Sequence, residues 1–177
     1  NVIVKLNPTL LGQEETSHIL HDILGYKDLV LKPDTFEQDL QFDQAIELTQ
    51  NMFRTASSCE KLLGLKFTNT LVVENHKGYF SNDEMHMSGL PLHVLAIRLL
   101  KKFRDALGNL HMYIPTSFSA GVDDKNFADV ASLNLVPVTA CTDMLKVPGY
   151  EKGTGYLNSL GEIMESIGAI NISDYII

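Results

Sequence analysis

The sequence predicts an α/β protein in which short, buried, parallel strands alternate with helices. Brief apolar runs such as Val2–Leu6 and Val136–Ala140 are typical of strands that are covered on both faces. Longer segments between such runs carry apolar residues at helical spacing, most clearly Pro91–Leu107. The predicted order is five strands, each followed by a helix. The chain of 177 residues is long enough to form one domain with its own core.

The first half of the chain contains two predicted helices. The first ends at Gly25, and its inner face is formed by Ile19, Leu20, Ile23 and Leu24. A short strand at 28–31 follows and is stopped by Pro33. The second helix begins after Asp43 and is predicted to bury Ala45, Leu48, Met52, Ala56, Cys59 and Leu63. In this interpretation Cys59 is a small core residue and not a nucleophile.

The next strand is predicted at 65–73, followed by a polar loop at 74–87. Loops of that length are usually functional or mobile. Ser88 is the expected N-cap of the strongest helix, which ends at Gly108. Its predicted inner face consists of Leu92, Leu95, Ala96, Leu99, Phe103 and Leu107. The last helix is predicted near 156–167.

Two successive strand ends between Pro115 and Tyr150 carry small residues. The segment HMYIP leads into Ser119, Ala120 and Gly121, and the strand at 136–140 leads into Cys141 and Thr142. Ligands of α/β proteins bind at the carboxyl ends of parallel strands. Small residues there allow backbone N–H groups to approach a phosphate. The alternative is that these are ordinary loop residues.

Composition excludes several classes of function. The net charge of −8 and the lack of a long basic stripe argue against nucleic acid as the main partner. No apolar run approaches the ~20 residues of a membrane span. The six histidines and two cysteines lack metal-type spacing, so no metal site is expected. Two distant cysteines fit a reducing compartment, which predicts a cytoplasmic protein.

Two architectures fit this order of elements: a doubly wound open sheet, or consecutive units of a (β/α)8 barrel. No GxGxxG follows the first strand, which disfavours a dinucleotide-binding domain. A complete barrel needs about 250 residues. The chain also enters its first strand directly after Asn1, so the barrel interpretation treats residues 1–177 as a fragment, the C-terminal half of the barrel domain.

Several motifs resemble a known group of flavoproteins. Asn69-Thr70, followed by a loop and Ser88-Gly-Leu-Pro-Leu, is similar to the later part of the dihydroorotate dehydrogenase barrel. A closer resemblance, over nearly the whole chain, is to the flavoproteins named "putative selenate reductase", which are related to dihydropyrimidine dehydrogenase and the glutamate synthase small subunit. The segments that carry it are KLNPTLLG, FTNTL, EMHMSG, PVTACTDMLKVPGY and NISDY.

This resemblance implies FMN at the C-terminal mouth of a TIM-type barrel. Lys5, or its rival Lys66, would contact the flavin ring and stabilise negative charge on reduction. Asn69 and Thr70 would contact the edge of the flavin or substrate. Ser88 and Gly89 would approach the ribityl chain or the phosphate. The phosphate would be held, mostly through backbone N–H groups, by Ser119, Ala120 and Gly121 with Cys141 and Thr142. Ala120 stands where the family has glycine, which predicts less room for the phosphate.

The resemblance also implies partners and leaves alternatives open. The family's acid–base residue lies earlier in the barrel, so no catalytic residue is assigned here. The front half of the barrel, Fe–S clusters and FAD/NAD(P)H domains would belong to the remainder of the parent polypeptide. The open sheet edges of an isolated half barrel predict a homodimer of the fragment. The alternatives are a degenerate barrel that acts as a cofactor-free scaffold and a phosphate-binding, aldolase-like enzyme with a Schiff-base lysine.

Overall fold

A parallel sheet lies at the centre of the structure, a computed structural model that describes residues 1–176. Strand β1 (Val2–Leu6) pairs with β2 (Leu63–Phe67), and β2 pairs with β5 (Thr116–Phe118). Val138 extends the sheet by a parallel bridge to Phe118. The strands therefore lie side by side in chain order. The α/β class with parallel strands, predicted from the sequence, is confirmed.

Helices and one hairpin surround this sheet. The antiparallel hairpin consists of β3 (Leu71–Glu74) and β4 (Glu84–Met87). The α-helices are α1 (Gln13–Ser17, continued by a π-helical turn at His18–Ile23), α2 (Pro33–Glu37), α3 (Phe42–Ser58), α4 (Leu90–Leu107), α5 (Phe127–Ser132), α6 (Lys152–Ser166) and α7 (Ile172–Tyr175). Short 3-10 turns occupy Pro8–Leu11, Gly108–Tyr113 and Gly149–Glu151. None of the helices in residues 1–176 has the length and apolar character needed to cross a membrane.

Helix α4 provides the largest part of the core. All six of its predicted inward residues are buried, and Leu100 joins them. Phe103 lies edge-on to Phe67 of β2, with ring centroids 5.4 Å apart, and edge-on to Phe42 of α3 at 5.3 Å. Such edge-to-face pairs add to the free energy gained from apolar burial. One aromatic side chain thus joins two helices to the central strand.

The prediction for α3 is correct for Ala45, Met52 and Ala56, which are buried or partly buried, and wrong for Leu48 and Cys59. Ala45 and Thr49 are buried, whereas Leu48 is 46% exposed and Cys59 is exposed beyond the end of the helix. Cys59 is therefore not a core residue, and Leu63 belongs to β2. Two apolar stripes overlap on this helix. The stripe that packs against the core carries the larger aromatic side chains and includes Phe42, Ile46 and Phe53.

The predicted strand at 65–73 is two strands. Strand β2 ends at Phe67 because the next two residues turn back to β1, where the Thr68 hydroxyl and the Asn69 N–H both donate to the Leu6 carbonyl at 2.8 and 2.9 Å. The chain then enters the hairpin. The predicted loop at 74–87 was therefore wrong for its last four residues, which form β4.

Five other predictions need correction. The strand predicted at 28–31 joins the hairpin through an antiparallel bridge from Leu31 to Val73 and lies outside the parallel sheet. Most of the HMYIP segment is a 3-10 turn, and β5 begins at Thr116. The strand at 136–140 is reduced to one bridge at Val138. Ile23 is 61% exposed, and α6 begins at Lys152 instead of near residue 156.

Replacement of Leu99 by Ala should destabilise the fold strongly. Leu99 is fully buried in the centre of the α4 face. Truncation of such a leucine costs about 2–5 kcal/mol in the free energy of unfolding because it removes apolar contacts and leaves a cavity. Urea denaturation followed by circular dichroism measures the loss. Leu48→Ala, the same change at the exposed position of α3, is the control and should cost far less. Equal losses for the two variants would contradict this packing.

Candidate functional site

The loop after β5 presses against the N-terminus of α4. A Cβ atom added to Gly121 would lie 2.2 Å from the carbonyl oxygen of Gly89 and 3.0 Å from the Leu90 nitrogen. Gly121 also has a φ of +52° and Gly89 a φ of +79°, conformations that favour glycine. Only backbone atoms fit at this contact. The sequence therefore places glycine at both positions for steric and conformational reasons.

Hydrogen bonds hold this loop in place. The Ser119 N–H donates to the Phe67 carbonyl at 2.5 Å. The Nδ1 atom of His93, one turn into α4, donates to the Ala120 carbonyl at 2.9 Å, and the Asn126 side chain donates to the Gly121 carbonyl at the same distance. Both carbonyl groups are thereby turned into the protein. The N–H groups of Ala120 and Gly121 have no acceptor within residues 1–176.

Ala120 does not crowd the open side of the loop. Ala120 is 3% exposed and belongs to the hydrophobic core. The methyl group of Ala120 thus packs among apolar side chains. The glycine that the contact requires is the next residue, Gly121.

The loop after the 136–140 segment reaches the same place. The Cγ2 atom of Thr142 lies 3.7 Å from the position that a Cβ atom on Gly89 would occupy. Three separate loops, ending at Gly89, Gly121 and Thr142, therefore meet at the first turn of α4. Helix N-termini attract anions through unpaired N–H groups and a positive dipole. In α4 the N–H groups of Leu92 and His93 donate to the Gly89 carbonyl and Pro91 has no N–H, so Leu90 supplies the N–H group of the first turn that has no acceptor within residues 1–176. This arrangement, which we call the strand-end cluster, can bind an anionic group.

A buried carboxylate fixes the Thr142 loop. Asp143 accepts hydrogen bonds from the Lys152 ammonium at 2.7 Å and from the Tyr156 hydroxyl at 2.8 Å, both on α6. The hydrogen bond from Lys152 holds the pKa of Asp143 below its usual range. Burial, together with the neighbouring Asp143, raises the pKa of Tyr156. Tyr156 in turn stacks on Phe127 of α5 at 5.4 Å. Asp143 is thus a positioning residue for the site.

Lys5 and Lys66 are register partners on adjacent strands, and Ser117 is the partner of Lys66 on β5. Side chains alternate along a strand, so Lys5 lies on the face opposite Leu6, which packs in the core. Lys66 likewise lies opposite Phe67. Neither ammonium group forms an ion pair within residues 1–176. Lys5 and Lys66, the two candidates for the flavin contact, are therefore neighbours on the sheet.

Asn69 and Thr70 belong to a polar network at the ends of β1 and β2. The Asn69 amide donates to the side-chain oxygen of Asn7 at 3.2 Å, and Asn7 donates to Asp39 at 2.7 Å. The Thr70 hydroxyl is 3.1 Å from Nδ1 of His86 on β4. Asn7, Asp39 and His86 were not predicted as site residues. Asn7 directly follows β1, and Asn69 follows β2 after one residue, so the position at a strand end was the available signal.

The remaining predicted site residues are Ser88 and Cys141, which flank the strand-end cluster in the sequence. Ser88 and Cys141 are exposed, and Ser88 does not cap α4, whose N-cap is Gly89. The predicted cap is therefore wrong. His93 and Asp143, which orient the loops, had no sequence signal beyond their position next to the predicted residues. Within residues 1–176 the structure groups no three potential metal ligands together.

Comparison with known proteins identifies relatives. Residues 1–174 match the profile of the family described as "Oxidoreductase YgfK, N-terminal TIM-barrel domain". The chain is 36% identical over 150 residues to "Putative oxidoreductase YgfK" of Escherichia coli strain K12, and equally to that of Escherichia coli O157:H7. The match covers 85% of this chain and 14% of each relative, so the chain spans a small part of their length. No solved structure matches.

Replacement of Asp143 by Asn should loosen the Thr142 loop and destabilise the protein at neutral pH. Hydrogen bonds to charged groups contribute about 1.5–3 kcal/mol to the free energy of unfolding. The folded-state pKa of Asp143 is depressed, so its contribution is present above the unfolded value of about 4 and is lost as the pH falls through the folded value. In urea denaturation, the free energy of unfolding of Asp143→Asn should be lower than that of the wild-type protein at pH 7. The difference between the two proteins should be smaller at pH 3.

The matched control is Asp105→Asn. Asp105 pairs with Lys101 on the surface, where both side chains are 63% exposed, and exposed pairs contribute about 0–1 kcal/mol. A deficit for Asp143→Asn no larger than that of the control, or one that does not depend on pH, would mean that the interaction with α6 does not fix the loop.

Proposed function

The chain belongs to the family of the oxidoreductase YgfK N-terminal TIM-barrel domain, and we propose that it supplies part of a flavin mononucleotide site to a larger oxidoreductase. The phosphate of FMN binds in the strand-end cluster. The ring system lies toward Lys5 and Lys66. The chain forms the C-terminal half of the barrel, and the front half comes from the rest of the parent polypeptide.

The convergence of three loops on the N-terminus of α4 is the observation that supports this proposal. Gly89, Gly121 and Thr142 come from different parts of the sequence. A Cβ atom on Gly121 would overlap the Gly89 carbonyl, and the Thr142 methyl group lies 3.7 Å from the position of a Cβ atom on Gly89. The loop carbonyls of Ala120 and Gly121 are occupied by His93 and Asn126, which leaves N–H groups for a ligand. A phosphate dianion is the ligand class that such an array of N–H donors favours.

The lysine pair suits the ring end of the same ligand. Bound FMN would supply reversible hydride and electron transfer, which no side chain of this protein provides. Its reduction places negative charge on the ring, and a nearby ammonium group stabilises that charge. Asn69 and Thr70, held by Asn7 and His86, are placed to orient the edge of the ring or a substrate.

Electron supply is assigned to the remainder of the longer protein. The relatives are about seven times longer than the matched segment, so there is ample chain for Fe–S, FAD and NAD(P)H-binding domains. The term selenate reductase enters this proposal only as the name of the family that the sequence resembles, and it assigns no electron acceptor. A reducing, cytoplasmic location agrees with Cys59 and Cys141, which are both free thiols.

A phosphate-binding, aldolase-like enzyme is the second candidate. The observation that favours it is the same lysine pair, because an amine beside a phosphate site can form a Schiff base with a carbonyl substrate. Borohydride trapping with a carbonyl phosphate such as dihydroxyacetone phosphate distinguishes the two. A covalent adduct on Lys5 or Lys66 supports the aldolase, whereas absence of adduct together with bound FMN supports the oxidoreductase.

The full-length parent protein should purify with FMN, and Gly121→Ala should weaken its retention at least tenfold. The added methyl group would collide with the Gly89 carbonyl and displace the loop. Fluorescence and mass analysis of flavin released on denaturation, with the dissociation constant from reconstitution, measure this. Gly153→Ala is the control, since its Cβ would meet nothing within 4 Å. Release of FAD alone, or of no flavin, would leave a cofactor-free scaffold as the better description.

Removal of the lysine that contacts the ring should lower the reduction potential of the bound flavin. Lys5→Met is expected to have the larger effect, on the order of 30 mV for each ~1.4 kcal/mol of lost charge stabilisation in a two-electron couple. Lys66→Met tests the rival. Lys61→Met, an exposed lysine that precedes β2, is the control. Unchanged potentials in both test variants would exclude a lysine–flavin contact.

A further inference from the structure

A second cavity lies at the opposite end of the sheet from the strand-end cluster. Its volume is about 560 Å³, and it is enclosed between the end of α4, the 3-10 turn before β5 and the segment around Leu133–Val136. Typical small-molecule sites measure roughly 300–1,000 Å³. Gly89 and Arg104 lie at opposite ends of α4, about 22 Å apart along the axis at 1.5 Å per residue. The cavity is therefore distinct from the proposed flavin site.

The charged group of this cavity is Arg104. Its guanidinium group is about half buried and donates one hydrogen bond, 2.6 Å long, to the Leu133 carbonyl. Burial lowers the pKa of Arg104. No carboxylate pairs with it within residues 1–176, and none of the residues that line the cavity is acidic. A desolvated cation without a counter-ion is unfavourable, and the C-terminus of α4 offsets only about half a charge.

The rim of the cavity is apolar. Met112, Tyr113 and Val136 are 65%, 67% and 68% exposed, although all three are large hydrophobic residues. His111 also lines the cavity, and its Nδ1 donates to the Gly108 carbonyl at 2.6 Å. The site thus offers one positive charge with a planar fork of donors, polar groups along part of its wall, and one aromatic and two aliphatic side chains at its rim. A guanidinium group binds a carboxylate through two parallel hydrogen bonds.

We propose that this cavity is a binding site for a small monocarboxylate with an aromatic or branched apolar body. The carboxylate pairs with Arg104, and the body packs against Met112, Tyr113 and Val136. One guanidinium balances one carboxylate, whereas a phosphate dianion would retain excess negative charge. The end of a barrel opposite the strand carboxyl ends is not the catalytic face, so the ligand is an effector or a cargo and not the substrate. This proposal does not depend on FMN binding.

The test uses 4-fluorobenzoate as the probe and the full-length parent protein. Ligand-observed ¹⁹F NMR measures line broadening during titration, and 4-fluorobenzamide serves as the neutral analogue of the same shape. A dissociation constant on the order of 1 mM corresponds to about −4.1 kcal/mol, a reasonable value for a ligand of ten non-hydrogen atoms. Arg104→Gln should weaken carboxylate binding at least tenfold, and benzamide binding should be weak in every variant.

Two further variants make the result decisive. Lys101→Gln removes one positive charge from the same helix, outside the cavity, and should leave binding unchanged. Met112→Asp places a carboxylate at the rim, on the 3-10 turn before β5 and away from the sheet edge at 136–140, where it should abolish binding even if Arg104→Gln fails to fold. Equal binding of 4-fluorobenzoate and 4-fluorobenzamide, no binding by the wild-type protein, or binding that survives both Arg104→Gln and Met112→Asp would overturn the proposal.

Discussion

Burial of α4 against the central strands is the interaction on which the rest of the structure depends. Its apolar face packs on β2, and Phe103 joins it to Phe67 and to α3. Because the helix runs antiparallel to the strands it covers, this packing brings its N-terminus to the strand carboxyl ends and its last turn to the opposite end. The strand-end cluster and the Arg104 cavity are therefore both consequences of one packed helix. A shift of α4 by one turn would move Gly89 about 5.4 Å from its contact with Gly121 and dismantle the cluster.

The two faces of the sheet have different roles. Leu6, Leu65 and Phe67 face the helices, and their neighbours Lys5 and Lys66 face the other way. In a TIM-barrel domain, the family to which this chain belongs, the face away from the helices is the barrel interior. The sheet described here has two free edges, at β1 and at the 136–140 segment, and a barrel has none. The proposal that another part of the parent polypeptide completes the barrel would close both edges and cover the exposed side chain of Ile3.

The sequence predicted best those features that depend on strong local patterns. All six inward residues of α4 were correct because they recur at helical spacing along the whole helix, although Leu90 and Val94 on its outer side are also apolar. On α3, Ala45, Met52 and Ala56 were assigned to the correct side and Leu48 was not, because the packing that brings Phe42 to Phe103 is tertiary and leaves no local signal. The run at 65–73 was predicted as one strand although Thr68, Asn69 and Thr70 interrupt its apolar residues. The hydrogen bonds that end β2 there join it to a residue more than 60 positions away, Leu6, which local spacing does not reveal. The three loops of the strand-end cluster could be identified as strand ends, but their contact with one helix terminus could not. His93, Asn126 and Asp143 act only through that contact.

The lysine pair places a physical requirement on the complete protein. Like charges at directly opposite positions of neighbouring strands destabilise a sheet, even at its solvent-exposed surface. Inside a closed barrel the cost is greater, because two ammonium groups lose water and no carboxylate within residues 1–176 reaches them. An anion at the barrel mouth offsets this cost, and a phosphorylated ligand that develops negative charge on its ring would do so at both ends. The N–H groups of Ala120 and Gly121 lie three and four residues beyond Ser117, the β5 partner of Lys66, which places them at most about 10–13 Å from Lys66 along the chain at 3.3 Å per residue. That length matches an elongated ligand with charge at each end better than a compact oxyanion, which could satisfy only one of the two groups.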